Sequence, residues 1–214
     1  KKNTSFIVKH TGTKCPPCGS WGWDMFAEFI STVGEDANYM APYSYPGNWI
    51  IPVATQLAGY NKVTGYPTFA ANNEAQLSRT STSVNTAKEK QMVYDVVNDF
   101  ATAPVVANAA AVFRIKDGNI EIKYKAKAFE DVTGTVYAAV YILENKLVGE
   151  QSGHPDGNNS VHKHVMRQAV NDALWGESLG TMTTDTEVDG EATVTMESGW
   201  TEDHMEVLVV LYSK

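Results

Sequence analysis

Thr11-Gly12-Thr13-Lys14-Cys15-Pro16-Pro17-Cys18, with Gly65-Tyr66-Pro67-Thr68 further along, decides how the first half of this chain is read. Upstream, Ser5-Phe6-Ile7-Val8 is a short apolar, partly β-branched run suited to a buried strand. Downstream, Met25, Phe26, Phe29, Ile30 and Val33 fall on one helical stripe that Gly34 ends. Two cysteines separated by two residues can close a small disulfide where a turn leads into a helix. The first thiol then sits at the helix N-terminus, where unpaired N–H groups and the dipole favour the thiolate. In that setting Cys15, the more exposed, attacks a partner disulfide and Cys18 resolves the mixed disulfide. Pro16 and Pro17 remove two N–H donors and stiffen the turn. Two other readings stand beside this one. The pair is half of a zinc site, although a second CxxC or a well-spaced His pair is lacking nearby, or it is a closed local disulfide without redox work.

Working outward, Tyr39 to Tyr45 reads as a second strand, and Asn48 as the cap of a helix with Pro52 in its first turn, burying Ile50, Val53, Leu57 and Ala58. Gly65 to Phe69 is a turn feeding a strand, and the polar stretch 72–85 is a loop, or a hairpin plus a loop. Met92, Val93, Val96, Val97 and Phe100 restore the helical stripe over Thr86 to Phe100. This order of elements predicts an α/β layer fold for residues 1–105.

After Ala103-Pro104 the period changes to two. Ala111, Phe113 and Ile115, then Ile120, Ile122 and Tyr124, flank Asp117-Gly118 and predict a hairpin. Thr135 to Leu143 and Leu147 to Gln151 read as a second hairpin around Glu144-Asn145. Glu191 to Glu197 and His204 to Tyr212 supply two further strands, and Val161 to Leu174 is the one helix candidate of this half. Residues 106–214 are therefore expected to form a small antiparallel β-sandwich.

The bulk properties narrow the function. The chain has 214 residues, 43% of them hydrophobic and 20% charged, a globular composition. A formal net charge of -8 without a basic stripe argues against nucleic acid as a partner. No apolar run approaches the roughly 20 residues needed to cross a bilayer as a helix. Both cysteines lie in one CxxC, so there is no disulfide framework, and no cofactor beyond a redox-active Cys15–Cys18 disulfide is expected. His154, His162 and His164 invite a metal hypothesis. On a strand His162 and His164 point the same way and could share an ion; on a helix they diverge. Hydrogen bonding at a loop surface is the favoured alternative, and no metal site is expected. Arg167 reads as an ion-pair former, and Trp21 and Trp23 as a substrate-facing rim or as core. Nucleophile elbow, phosphate loop, dinucleotide fingerprint and HExxH are all missing.

Strand, CPPC, helix, then Gly65-Tyr66-Pro67-Thr68 resembles the thioredoxin superfamily, and the CPPC is more similar to its periplasmic reductases than to its cytosolic members. The resemblance implies a thioredoxin-like domain over 1–105, a cis Pro67 against the CxxC, and Tyr66 and Trp21 along a substrate groove. Two departures weaken the reductase implication. Lys14 stands where that superfamily carries Trp, and Lys9 where it carries a buried Asp. Lys14, as a nearby cation, favours the thiolate; read otherwise it is a solvated lysine.

Thr11-Gly12-Thr13-Lys14-Cys15, Val136-Tyr137, His162-Lys163-His164-Val165-Met166-Arg167 and Trp175-Gly176 together resemble the outer-membrane protein 28-like lipoproteins of Gram-negative bacteria. That resemblance implies an exported protein of the periplasm or outer membrane, lipid-anchored through a removed N-terminal segment. Its partners would be protein thiols and disulfides, or other envelope proteins. Two functions follow as expectations: a thiol–disulfide oxidoreductase-like protein using Cys15 and Cys18, or a surface binding module whose thioredoxin fold is a scaffold around a closed disulfide.

Overall fold

The Ser5–Val8 run becomes a strand, β1 (Ser5–His10), buried along its whole length, in a computed structural model that describes residues 2–73, 75–78 and 86–214. It is followed by α1 (Pro16–Gly19), α2 (Trp21–Val33), β2 (Ala37–Met40), α3 (Pro52–Tyr60), β3 (Thr68–Ala71), β4 (Ala75–Ser78) and α4 (Thr86–Thr102). The sheet order is β2-β1-β3-β4, with β1 parallel to β2 and antiparallel to β3. Met25, Phe26 and Phe29 of α2 and Val93 and Val97 of α4 join Ile7, Tyr39 and Phe69 in one buried cluster. Burying a side chain such as Phe29 contributes about 2–3 kcal/mol, so this stripe fixes α2 on the sheet.

β4 pairs with β3, which makes part of the polar stretch a hairpin; residues 79–85 of that stretch lie outside the described residues. The second helix begins later than Asn48. Ile51 stays extended at φ -127° because the residue before a proline is held out of the helical region, so the helix starts at Pro52 and leaves Ile50 46% exposed.

The remaining strands are β5 (Ala107–Lys116), β6 (Asn119–Ala128), β7 (Val136–Glu144), β8 (Leu147–Gly149), β9 (Ser160–His162), β10 (Val165–Ala169), β11 (Glu177–Gly180), β12 (Glu187–Thr195) and β13 (Met205–Ser213). The β5–β6 hairpin forms as predicted, with Asp117 and Gly118 both at positive φ in its turn. β5, β6 and β12 make one antiparallel sheet; β10, β7, β11 and β13 make another. Ile120 and Ile122 of the first and Ala138, Val140 and Ile142 of the second share a core with Trp200 and Met205.

The expected hairpin of β7 with β8 does not form. β13 takes the full register of β7, from Met205 opposite Glu144 to Ser213 opposite Val136. The other edge of β7 is taken by β10 and β11. Instead β8 pairs with β9, Leu147 opposite His162. Nor is Val161–Leu174 helical. His164, Asn171 and Asp172 adopt positive φ, which an α-helix cannot accommodate, and strands β9 and β10 occupy the segment.

The chain divides into two compact units, one of Lys2–Ala103 with Lys146–Met166, the other of Pro104–Asn145 with Arg167–Lys214. The single boundary expected at 105/106 therefore misses an excursion: Lys146–Met166 packs with the first unit.

Candidate functional site

A short turn of helix carries the cysteines. Cys15 and Cys18 are joined by a disulfide, their Cα atoms 5.2 Å apart. The N–H groups of Cys18 and Gly19 both donate to the Cys15 carbonyl oxygen, at 3.0 and 3.3 Å. The helix then breaks: Ser20, at φ -98° and ψ -109°, separates α1 from α2. Cys15 stands at the N-terminus of a helix as expected, but that helix is the four-residue α1 and not the one that carries the apolar stripe. Pro16 and Pro17 carry no N–H, the next two are already used, and the thirteen-residue α2 begins only at Trp21.

The sulfurs are also less accessible than the sequence suggests. Pro16 and Pro17 are exposed, but Cys15 is only 3% exposed and Cys18 fully buried. The cover comes from the excursion. Ser152 N–H donates to the Thr13 carbonyl oxygen at 2.8 Å. Gln151 Nε2 reaches the carbonyl oxygens of Cys15 and Gly12 at 3.1 and 3.3 Å. Lys14 pairs with Glu150 at 2.7 Å, which makes it a surface ion-pair partner of the cover. No periodicity marks residues 150–154; their polar and glycine-rich composition reads as an ordinary loop.

Pro67 is buried, its peptide bond with Tyr66 is cis, and its ring lies against the start of α2. A Cβ placed on Gly22 would stand 2.4 Å from Pro67 Cγ and 3.2 Å from the Pro17 carbonyl oxygen, so Pro67 and the cysteine turn meet at Gly22. Tyr66 stacks on Tyr45, ring centroids 5.1 Å apart, and its hydroxyl donates to the Ser44 carbonyl oxygen. Trp21 is not brought to this edge as a rim: it is half-buried and packs on the core cluster beside Phe69.

Behind the bridge lies Lys9, 3% exposed, its Nζ donating to the Cys18 carbonyl oxygen at 3.3 Å. The amine faces the rings of Trp23 and Phe26, 5.1 and 5.5 Å from their centroids. Burial among these rings pushes its pKa down to about 7, with Asp24 opposing the shift. The signal for it in the sequence is a lysine that directly follows the apolar run Phe6-Ile7-Val8 on one strand, beyond the carboxylate missing from that position.

The three histidines have different hydrogen-bond and packing partners, although His154 and His162 both lie against Trp23. His154 Nδ1 meets the Ser160 hydroxyl at 3.0 Å, and its ring stacks on Trp23. His162 Nδ1 bonds the Tyr43 hydroxyl at 2.5 Å, and burial lowers its pKa to about 4. His164 packs between the rings of Tyr39 and Phe26. Among the described residues no group of three or more His, Cys, Asp or Glu could hold a metal.

Residues 54–214 match the family model of outer membrane protein Omp28. The chain belongs to the Omp28 family. It is accordingly an exported protein of the periplasm or outer membrane of a Gram-negative cell envelope and holds a Cys15–Cys18 disulfide; no helix among its described residues is long and apolar enough to cross a membrane. Among solved structures this Omp28-family chain is similar to HBP35 of Porphyromonas gingivalis, at 15% identity and a TM-score of 0.76, over 98% of this chain and 69% of that one. At that identity the likeness concerns the fold alone. No curated protein matches the chain.

Proposed function

We propose that the first unit is a thioredoxin-type domain and that its Cys15–Cys18 pair exchanges electrons with protein thiols and disulfides of the cell envelope. Cys15 is the attacking sulfur and Cys18 the resolving one. The observation that carries this reading is the meeting of Pro67 with the cysteine turn at Gly22, which sets a backbone edge, Tyr66-Pro67, beside the bridge. A partner chain laid along that edge would bring its own sulfur to Cys15 once the cover at Gln151–Gly153 has moved aside. An envelope location supplies the oxidising setting in which such pairs work.

The test uses the full chain, reduced, with insulin as disulfide substrate. Wild type is expected to accelerate insulin reduction by a dithiol donor, and Cys15→Ser to abolish the acceleration. Equal background turnover by both proteins would defeat the proposal.

A second reading is favoured by the burial of both sulfurs: a closed bridge that staples a binding scaffold. Equilibration with glutathione separates the two readings, because a potential below roughly -300 mV marks a structural bridge.

A further inference from the structure

The amine of Lys9 is buried against Trp23 and Phe26 with its hydrogen bond to the Cys18 carbonyl oxygen. It costs free energy to bury, and its hydrogen bond among the described residues goes to the residue whose sulfur must be ionised in any exchange cycle. The space beside it is not closed. A cavity of about 40 Å³, room enough for water, is lined by Lys9, Trp23, Phe26, Tyr43 and His162, with the exposed Val161 and Lys163 at its rim. Lys9 thus both touches Cys18, through its carbonyl oxygen, and lines this cavity, whose lining does not include Gln151.

We propose that Lys9 is the proton acceptor for Cys18, taking the thiol proton on Nζ and passing it to solvent through this cavity. The inference rests on the exchange reading above. In the reduced chain, Cys15 thiolate attacks a disulfide of a protein substrate, forming one S–S bond and releasing one substrate thiolate. Cys18 then gives its proton to the neutral Lys9 amine, which becomes an ammonium. Cys18 thiolate attacks Cys15 Sγ, the mixed disulfide breaks, the Cys15–Cys18 bond forms and the second substrate thiolate leaves. Two electrons pass from the pair to the substrate, and a protein dithiol of the envelope restores the pair. The Lys9 proton departs by the cavity.

The neighbours of Lys9 set its charge. Burial against Trp23 and Phe26 disfavours the ammonium and Asp24 on α2 favours it; His162 on β9, Lys163 and the Tyr43 hydroxyl are the other titratable groups lining the pocket, and His154 lies behind Trp23. A lysine balanced this way changes charge near neutral pH, whereas an exposed lysine does not.

The test follows the reduced, full-length protein reacting with 5,5'-dithiobis(2-nitrobenzoate) by stopped flow. Attack by Cys15 releases the first nitrothiobenzoate, and attack by Cys18 on the mixed disulfide releases the second. The second phase of wild type should inflect around pH 7. Lys9→Met should slow it by about 100-fold and carry the inflection above about pH 8.5, with the first phase changed far less. Lys9→Arg, which keeps the charge but accepts no proton, should behave like Lys9→Met. A wild-type second phase that titrates only as an ordinary thiol, or one that Lys9→Met leaves unchanged, overturns the role of Lys9 while the exchange reading survives. Failure of wild type to release any nitrothiobenzoate removes the exchange reading itself. A wild-type profile without an inflection near pH 7 overturns the role whether or not the variants fold, and the shift in Lys9→Met and Lys9→Arg separates Lys9 from a thiol of lowered pKa.

Discussion

Gly153 lies on the backbone of Pro16: a Cβ added to Gly153 would stand 2.2 Å from the Pro16 carbonyl oxygen. The cover over the bridge is therefore backbone laid on backbone, and only a residue without a side chain fits there.

Gly153→Ala tests the cover. At φ +81° alanine is strained, and its methyl has no space to enter, so the segment is expected to lift. A loss of about 1.4 kcal/mol in cover stability is a tenfold gain in the open population. The expected result is about tenfold faster reduction of the Cys15–Cys18 bridge by dithiothreitol, followed by timed alkylation and mass measurement. An unchanged rate would show that the reductant reaches the sulfurs without displacing Gly153.

In the second unit, Glu144 and Arg167 form an ion pair at 3.0 Å with the carboxylate fully buried. Glu144 also accepts the Thr201 N–H at 3.0 Å. Arg167→Met strands a buried charge and should cost about 3–5 kcal/mol. Adding Glu144→Gln, which keeps an acceptor for Thr201, should restore most of that loss. Urea midpoints of the two singles and the double mutant give the coupling; additive costs would show that the pair is not the source.

Stability should depend on pH in two windows. His10 and His162 are buried, which lowers their pKa values to about 3 and about 4. The unfolded chain binds these protons first, so their contribution is fully present above about pH 6.5 and is lost as pH falls toward the folded values. Lys9 acts in the same direction at higher pH. Its folded pKa of about 7 lies below the ordinary 10.5, so between those values the unfolded chain holds the extra proton and stability rises with pH. Each group contributes at most ~1.4 kcal/mol per pH unit. Lys9→Met should flatten the alkaline window and leave the acidic one, as read from urea midpoints across pH. A wild-type profile flat between pH 7 and 10 would contradict the buried state of Lys9.

The parts of the fold that could be read from sequence are those where one periodicity dominates. The α2 stripe from Met25 to Val33, the α4 stripe and the alternation around Asp117-Gly118 each have a single solution. The segment after Glu144 had two. Its apolar residues Leu147 and Val148 suit a hairpin with β7 equally well, and only the distant β13, which fills that edge, rules it out. Val161, Val165 and Val170 likewise suit a helix until left-handed His164 between them, and Asn171 and Asp172 just beyond, are seen. In the site, the cysteine spacing announces the bridge. The burial of Cys15 depends on Gln151 and Gly153, whose contacts no local pattern encodes. The break at Ser20 has no local signal, because nothing in Cys18-Gly19-Ser20-Trp21 other than Gly19 interrupts a helix.

A chain that emerges N-terminus first displays Cys15 and Cys18 well before Gln151, which follows Cys15 by 136 residues. The sulfurs are then joined on an open turn and sealed only when the last strand of the excursion arrives. Joining the sulfurs asks nothing of residues 151–153, whereas a return to the dithiol in the finished molecule asks that Gln151 and Gly153 give way first.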